Sequence, residues 1–158
     1  MNKYLLSKFK SYISSNYADS NLTASTVCAH LQCSQSYLNE LIKYEYQYSH
    51  KKYIEYFRIL KAIELVCTQK TTNIYIAAGY NSSSVFSKAF LRITGFHFSC
   101  FYDSELKEYQ DIISGACIAA ECPKKAIQLI ANNSSIRAVL SKNQTERPNK
   151  NKIFKTKK

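Results

Sequence analysis

The chain has 158 residues, enough for one ordinary domain or for two very small subdomains on a shared scaffold. Its hydrophobic fraction of 46% argues against global disorder, and 3 Gly and 2 Pro provide poorly for the many turns of a β-sandwich or barrel, so an all-α fold is predicted. The formal net charge of +11 favours a polyanionic partner, which means DNA, RNA or an anionic membrane surface.

The first part of the chain predicts three helices. Apolar residues at helical spacing indicate an amphipathic helix over Tyr4–Tyr17. Thr23 is a good N-cap for a short helix, Ala24–Leu31. After a tight turn, Ser34 is a second N-cap, and it opens a helix over Gln35–Lys43.

The same arrangement returns after a long helix. Strong periodicity predicts this helix from about Ser49 to Cys67. A short helix over about Ile74–Ala78 follows, Gly79 supplies a residue suited to positive φ in the turn, and Ser82 caps a helix that ends near Ile93. The sequence therefore predicts two helix–turn–helix subdomains joined by a long linker helix.

Beyond residue 102 the character of the chain changes. SELKEYQDIISGACIAAEC has apolar residues at helical spacing, Pro123 can open a short helix over Pro123–Ala131, and a few turns are expected around Ile136–Leu140. The last stretch is basic with little to bury. We predict a double helix–turn–helix domain over 1–102, a helical C-terminal extension over 103–141 and a disordered basic tail over 142–158.

A helix–turn–helix places its second helix in the DNA major groove, with residues near the N-terminus of that helix facing base edges. Short hydrogen-bonding or small side chains suit those positions. The residues predicted to face the bases are Ser36, Asn39 and Glu40 in the first copy and Ser83, Ser84, Val85, Ser87 and Lys88 in the second. If the linker helix holds the copies about 34 Å apart on one side, both can reach successive grooves of one duplex.

The residue types fit base recognition. An asparagine such as Asn39 can make a bidentate pair with adenine, Glu40 can accept from cytosine N4, and Lys88 can reach guanine O6 and N7. A polar face on a single helix is usually only a solvated surface. Two helices that share the preceding short helix, the tight turn and the serine cap favour a functional interpretation.

These residues also carry a family resemblance. From about Tyr12 to Phe101 the chain resembles the AraC/XylS DNA-binding domain. LTASTVCAHLQCSQSYLNELIK is similar to the first helix–turn–helix of that family, KKYIEYFRILKAIELV to its linker helix, and GYNSSSVFSKAF to its second recognition helix. The resemblance implies a bacterial transcription regulator that acts in the cytoplasm on the nucleoid, usually an activator that binds beside the promoter and contacts RNA polymerase.

By motif position, the family's base-reading residues fall on the side chains named above except Val85, and the resemblance adds phosphate contacts. Those contacts are expected from Lys43, Lys51 and Arg92 and from the N-termini of the short helices, where backbone N–H groups meet anions. Arg58 on the linker helix has two readings: an ion-pair or packing residue, which we favour, or a DNA contact.

Several positions depart from the family pattern. Gln32 and Gln47 stand where the family usually has glycine, and a non-glycine residue at positive φ is uncommon. Tyr75 occupies a position that is normally alanine, so its ring must find room or the short helix must shift. Phe98 and Tyr102 replace a customary proline and arginine.

The sequence gives no sign of a membrane segment, a metal site or a cofactor. It contains neither an uninterrupted apolar run of about 18 residues nor the apolar core of a signal peptide, so we expect a cytoplasmic protein without membrane contact. The six cysteines form no CxxC pair. Cys28, His30 and Cys33 are close together, but no second cluster at zinc spacing follows.

Three alternatives to a DNA-binding regulator remain at this point. An enzyme is not expected, because His30, His50 and His97 are scattered and no glycine loop for phosphates is present. A degenerate helix–turn–helix that binds another regulator is the main competitor. An RNA-binding protein is the third possibility, although no aromatic stacking motif is visible.

The residues outside the resemblance leave two further expectations. Too few residues precede the first motif for an effector pocket, so a stand-alone member controlled by its abundance or by a partner protein is expected. The C-terminal extension is either a helical addition that packs on the domain or a surface for dimerisation or another protein.

Overall fold

The computed structural model describes residues 2–68, 73–119 and 122–146, and all regular secondary structure within them is helical. The helices are α1 (Lys3–Asn16), α2 (Ala24–Leu31), α3 (Gln35–Tyr46), α4 (His50–Thr68), α5 (Ile74–Ala77), α6 (Ser83–Thr94), α7 (Gln110–Ala119), α8 (Pro123–Asn132) and α9 (Ser134–Thr145). Two 3₁₀ segments, Phe98–Phe101 and Ser104–Tyr109, connect α6 to α7. The predicted all-α fold, with two helix–turn–helix units around a long helix, is confirmed.

Side-chain caps open the helices on which the double motif depends. The Thr23 hydroxyl accepts from the Thr26 N–H at 3.3 Å, and the Thr26 hydroxyl accepts from the Thr23 N–H at 3.0 Å, which forms a reciprocal capping box. Ser34 Oγ accepts from Tyr37 N–H at 3.2 Å, and Ser82 Oγ accepts from Val85 N–H at 3.3 Å. All three predicted caps are confirmed.

Both glutamines that stand in place of glycine adopt the left-handed conformation, with φ of 54° at Gln32 and 64° at Gln47. At the first of these positions the Cys33 N–H donates to the Cys28 carbonyl at 3.1 Å, and the Gln32 N–H donates to the Ala29 carbonyl at 3.4 Å. This is the Schellman pattern that usually ends in glycine. The tight turn therefore keeps its geometry, and the backbone strain of a non-glycine residue is borne there.

Two hydrophobic cores share the linker helix, one at its first turns and one at its later turns. Aromatic and aliphatic side chains of α1 to α3 and the first turns of α4 form the first core, with Phe9, Ile13, Val27, Leu38, Ile42 and Tyr53 at its centre. The later turns of α4 pack with α5, α6 and the C-terminal helices in the second core, which includes Ile59, Ile63, Ile74, Phe86, Phe90, Ile130 and Leu140. One helix thus contributes to both cores, and this fits its predicted role as a rigid connector.

The C-terminal extension is part of the second core. Ile113 of α7, Ile127 and Ile130 of α8, and Ile136 of α9 are at most 3% exposed and belong to the same buried cluster as Phe90 of α6. The predicted boundary between residues 102 and 103 therefore does not separate two cores. Of the two readings of the extension, packing against the domain is the one these contacts support.

The last helix is longer than the few turns expected around Ile136–Leu140. Asn133 caps its start by accepting from the N–H groups of Ser135 and Ile136, each at 3.1 Å. Near its end, Asn143 donates to the Cys100 carbonyl at 3.0 Å, and the Gln144 side chain accepts from His97 N–H at 3.0 Å. Residues 142–145, expected to begin the disordered tail, are thus helical, while residues 147–158 lie outside the described segments.

Tyr75 finds room without displacing α5 from its turn. Its ring is half-buried against the second core, and its carbonyl accepts from Tyr80 N–H at 2.9 Å. The neighbouring Ile76 side chain remains 53% exposed. The short helix therefore accommodates the larger residue on its buried side.

Candidate nucleic-acid interface

Each recognition helix buries one face in a hydrophobic core and exposes the opposite face to solvent. In α3, Leu38, Leu41 and Ile42 are buried. In α6, the buried residues include Phe86 and Phe90. Of the residues predicted to contact DNA, Ser36, Glu40, Lys43, Lys51, Ser83, Ser84, Val85, Ser87, Lys88 and Arg92 are exposed, and Asn39 is half-buried. The predicted faces are therefore accessible, with the exception of part of Asn39.

Val85 is a hydrophobic side chain in an otherwise polar row. It is 58% exposed in the first turn of α6, whereas valine side chains are usually buried in the core. Ser83, Ser84 and Ser87 are exposed around it. An apolar side chain at this position can contact the C5-methyl group of thymine.

A groove of about 590 Å³ lies between the start of the linker helix and the second recognition helix; we call it the α4–α6 groove. Its walls include Ser49, Lys51, Lys52 and Glu55 of the α4 side and Val85, Lys88 and Arg92 of α6. The structure therefore brings together four residues that the sequence predicted as DNA contacts, Lys51, Val85, Lys88 and Arg92.

The first turn of α4 contributes positive charge at a helix N-terminus. Ser49 Oγ accepts from Lys52 N–H at 3.3 Å, and Lys51 and Lys52 both belong to this turn. Lysines here lie at the positive end of the helix dipole, which opposes them in the free protein. Lysines beside the N-terminus of a helix can together attract an anion such as a DNA phosphate.

Arg92 reaches this groove as one half of an ion pair. Its guanidinium donates to Glu55, which also accepts from Lys52 at 3.0 Å. Burial by itself would raise the pKa of Glu55, but the hydrogen bonds from Arg92 and Lys52 outweigh it and leave the pKa lowered. Arg92 is therefore paired with Glu55 in the free protein, and its predicted phosphate contact would have to compete with that ion pair.

Asn39 links the first recognition helix to the same region. Its Oδ1 atom lies 3.2 Å from Nδ1 of His50, the first residue of α4. Lys51 follows directly and lines the α4–α6 groove. The start of the linker helix thus lies beside predicted DNA contacts of both recognition helices.

Arg58 is a packing residue, as favoured from the sequence. Its Nε atom donates to the Tyr17 carbonyl at 2.9 Å and its Nη2 atom to the Asp19 carbonyl at 2.8 Å. The guanidinium also lies 5.8 Å from the ring centroid of Tyr80. Arg58 therefore ties the segment after α1 to the linker helix and to the turn before the second recognition helix.

Three contributors to this surface were missed from the sequence. His50 and Glu55 are placed by contacts across 11 and 37 residues of chain, which local patterns do not reveal. Gln35 Nε2 donates to Ser25 Oγ at 2.9 Å and so joins the first turns of α2 and α3. The serine at the start of α2 could have suggested that contact, because both residues lie in helix first turns of one motif.

Two classes of site have no counterpart in the segments described. No three His, Cys, Asp or Glu side chains converge there as metal ligands. No helix there is long and apolar enough to span a membrane.

The fold is a double helix–turn–helix, and comparison with known proteins gives a family for part of the chain. Residues 27–102 match the family model described as a helix-turn-helix domain, which is of the AraC type. This segment belongs to that family of DNA-binding regulator domains, which is not a family of enzymes. The match over residues 27–102 supports a DNA-binding transcription regulator.

A solved structure shares the fold. The chain is similar to the C-terminal domain of the two-component response regulator yesN from Fusobacterium nucleatum subsp. nucleatum ATCC 25586, with a TM-score of 0.58. The two are 23% identical, and the match covers 65% of this chain and 100% of that one. No curated protein matches the chain.

Proposed function

We propose that the chain binds bacterial promoter DNA sequence-specifically, with α3 and α6 in successive major grooves on one side of a single duplex. The observation that carries this proposal is the start of α4. It touches Asn39 of the first recognition helix and lines one groove with Val85 and Lys88 of the second. A monomer arranged in this way reads a long site that is not a palindrome.

The phosphate contacts in this proposal come from around the same turn. Lys43 and Lys51 are exposed, Lys51 lies at the N-terminus of α4 where a helix attracts anions, and Lys52 and Arg92 can be drawn from Glu55 by a phosphate. Neutralising about five phosphates gives a slope of log K against log salt of about −4 to −5. A slope near zero contradicts the proposal.

Base reading is tested by selecting binding sites from random DNA and then substituting single side chains. Lys88→Ala is expected to cost about 1–3 kcal/mol and to relax preference at one base pair. Lys107→Ala is the matched control, because Lys107 is exposed on the C-terminal extension and its removal changes the net charge equally. Equal loss of affinity on every sequence in Lys88→Ala would remove Lys88 from the base-reading set.

Whether the chain activates or represses transcription, and which proteins it contacts, is proposed from the family resemblance. The chain acts as an activator that contacts RNA polymerase, and the C-terminal extension is a candidate surface for a protein partner or a dimer. Ile112, Ile118 and Leu129 are 45%, 86% and 55% exposed on that extension. Transcription from a selected promoter in a purified system, with and without the chain, measures the sign directly.

The competing role, a degenerate motif that binds another regulator, loses two of its supports. Gln32 and Tyr75, which depart from the family pattern, would favour a degenerate motif, but the first turn keeps its left-handed geometry and the tyrosine packs against the second core. Capture of partners from cells with and without nuclease separates the roles. A partner that survives nuclease, combined with a flat salt dependence of DNA binding, would favour the competitor.

A further inference from the structure

His50 is a buried histidine at the junction of the first recognition helix and the linker. It is 7% exposed, whereas His30 is exposed and stacks on Tyr12 with ring centroids 4.2 Å apart. Its Nδ1 atom lies 3.2 Å from Asn39 Oδ1, and its Nε2 atom has no hydrogen-bond partner in the described part of the chain. The contact with Asn39 is therefore the polar interaction that holds this ring.

The chemistry of the pair fixes where the proton lies. An amide oxygen only accepts hydrogen bonds, so with Oδ1 of Asn39 facing Nδ1 the hydrogen bond requires the neutral His50 ring to carry its proton on Nδ1. Burial, and after it the neighbouring Lys51, lowers the pKa of His50. The neutral ring with Nδ1–H donating to Asn39 is thus the form present at neutral pH.

This contact changes what Asn39 can offer to a base. The bidentate pair with adenine needs the amide oxygen to accept from N6 while the amide nitrogen donates to N7. With its oxygen turned to the buried His50 ring, Asn39 offers its two N–H donors to the groove more readily than its oxygen, which keeps one free lone pair. Guanine presents two acceptors on its major-groove edge, O6 and N7, and suits this arrangement better than adenine.

We propose that His50 is a positioning residue that sets the base preference of Asn39, so that Asn39 selects guanine over the bidentate adenine pair. This inference rests on the proposed function, because it presumes that α3 enters a major groove. It adds a residue that does not itself touch DNA to the determinants of sequence preference.

The test is binding-site selection with the full chain and variants at position 50. In the wild type, the base pair whose preference disappears in Asn39→Ala is expected to carry guanine. His50→Leu removes the donor and is expected to shift preference at that pair towards adenine by about 5- to 100-fold, the range for one base contact. His50→Gln keeps a donor and is expected to retain guanine. His30→Leu is the matched control and is expected to leave the preference unchanged.

Combining the substitutions separates positioning from folding. In the Asn39→Ala background, His50→Leu is expected to have no further effect on preference at that pair. Asn39→Asp leaves His50 unaltered and offers only acceptors, so it is expected to exchange guanine for cytosine. This variant keeps the proposal testable even if His50→Leu does not fold, which thermal unfolding would reveal.

Each outcome has a distinct meaning. Unchanged preference in folded His50→Leu, or an equal loss on all sequences, overturns the positioning role while leaving sequence-specific binding intact. Guanine retained in Asn39→Asp also overturns it. Absence of any sequence preference in the wild-type chain overturns the proposed function instead, and so the two failures are distinguishable.

Discussion

The guanidinium of Arg58 donates to the backbone carbonyl of Tyr17 at 2.9 Å, across 41 residues of chain. Beside this hydrogen bond lies Gly79, the turn residue of the second motif. A side chain of the linker helix therefore joins the segment after α1 to the turn of the second motif. Because this junction is made of directional hydrogen bonds, we expect it to restrict the angle between the two motifs more than apolar packing alone would.

Replacing Arg58 is expected to weaken both stability and two-groove binding. Arg58→Ala leaves the carbonyls of Tyr17 and Asp19 without their donor and is expected to cost about 2–3 kcal/mol, in line with the loss of charged hydrogen bonds. Arg58→Lys supplies a single point charge in place of a fork and recovers only part. Urea unfolding measures the cost. Arg137→Lys, at an exposed site with hydrogen bonds of 3.5 Å, is the control and is expected to change stability by less than about 0.5 kcal/mol.

Measurements of DNA affinity distinguish a changed angle between the two motifs from simple unfolding. Under conditions where Arg58→Lys is folded, affinity for a complete site is expected to fall while affinity for the half-site read by α3 stays unchanged. Equal loss on half-site and complete site would show that the junction does not control the angle.

The three glycines of the chain allow the close approach at Gly79 to be tested against two positions that lack such an approach. A Cβ atom on Gly79 would lie 2.1 Å from the Tyr17 carbonyl oxygen, at a φ of +91°, so Gly79→Ala is expected to cost more than about 3 kcal/mol. Gly95 has a φ of +80° but open space, and Gly95→Ala is expected to cost about 1–2 kcal/mol. Gly115 lies in α7 with open space, and Gly115→Ala is expected to gain up to about 1 kcal/mol.

Thermal and urea unfolding of these three variants give the order directly. If Gly79→Ala cost no more than Gly95→Ala, the close approach to Tyr17 would not be limiting. The positive φ alone would then explain both losses.

Local signals explain which parts of the fold could be predicted. The bounds of α2, Ala24–Leu31, were predicted as observed because a threonine cap and a left-handed turn residue mark its two ends. The length of helix α9 was predicted too short because its last turn is held by contacts of Asn143 and Gln144 with residues more than 40 positions earlier. Such contacts leave no periodic pattern in the sequence.

The same contrast between local signals and long-range contacts applies to the candidate site. The exposed faces of α3 and α6 follow from helical periodicity and their serine caps, so Ser36 and Lys88 could be placed on the accessible side from sequence. The contact between Asn39 and His50 and the ion pair between Arg92 and Glu55 depend instead on how the helices pack around the linker helix. Residue type and spacing therefore predicted where the side chains point but not which of them have partners.

The extension is expected to be required for the stability of the second motif. Ile130 of α8 is fully buried in the second core, and Ile130→Ala is expected to cost about 2–5 kcal/mol. Its neighbour Leu129 is 55% exposed, so Leu129→Ala is the matched control with an expected change within about 0.5 kcal/mol. Urea unfolding monitored by circular dichroism compares the two. Equal small effects would mean that the extension can detach without loss to the second motif.

Glu55 is expected to restrain DNA binding through its pairs with Lys52 and Arg92. In Glu55→Gln both cations are released, so affinity for DNA is expected to rise at low salt and the salt slope to steepen by about 1–2. The same change is expected to cost only about 0.5–1 kcal/mol of stability at neutral pH, because these side chains are partly exposed.

The acid dependence follows from the sign of the pKa shift. The folded pKa of Glu55 lies below its ordinary value of 4.5, so the contribution of the carboxylate to stability is present above that pH and is lost as the pH falls through the lowered value. Glu55→Gln is expected to lack this part of the acid loss. Glu108→Gln, an exposed site on the extension, gives the control for net charge. Equal changes of the salt slope in both variants would assign the effect to overall charge, because only the site at Glu55 frees cations that line the α4–α6 groove.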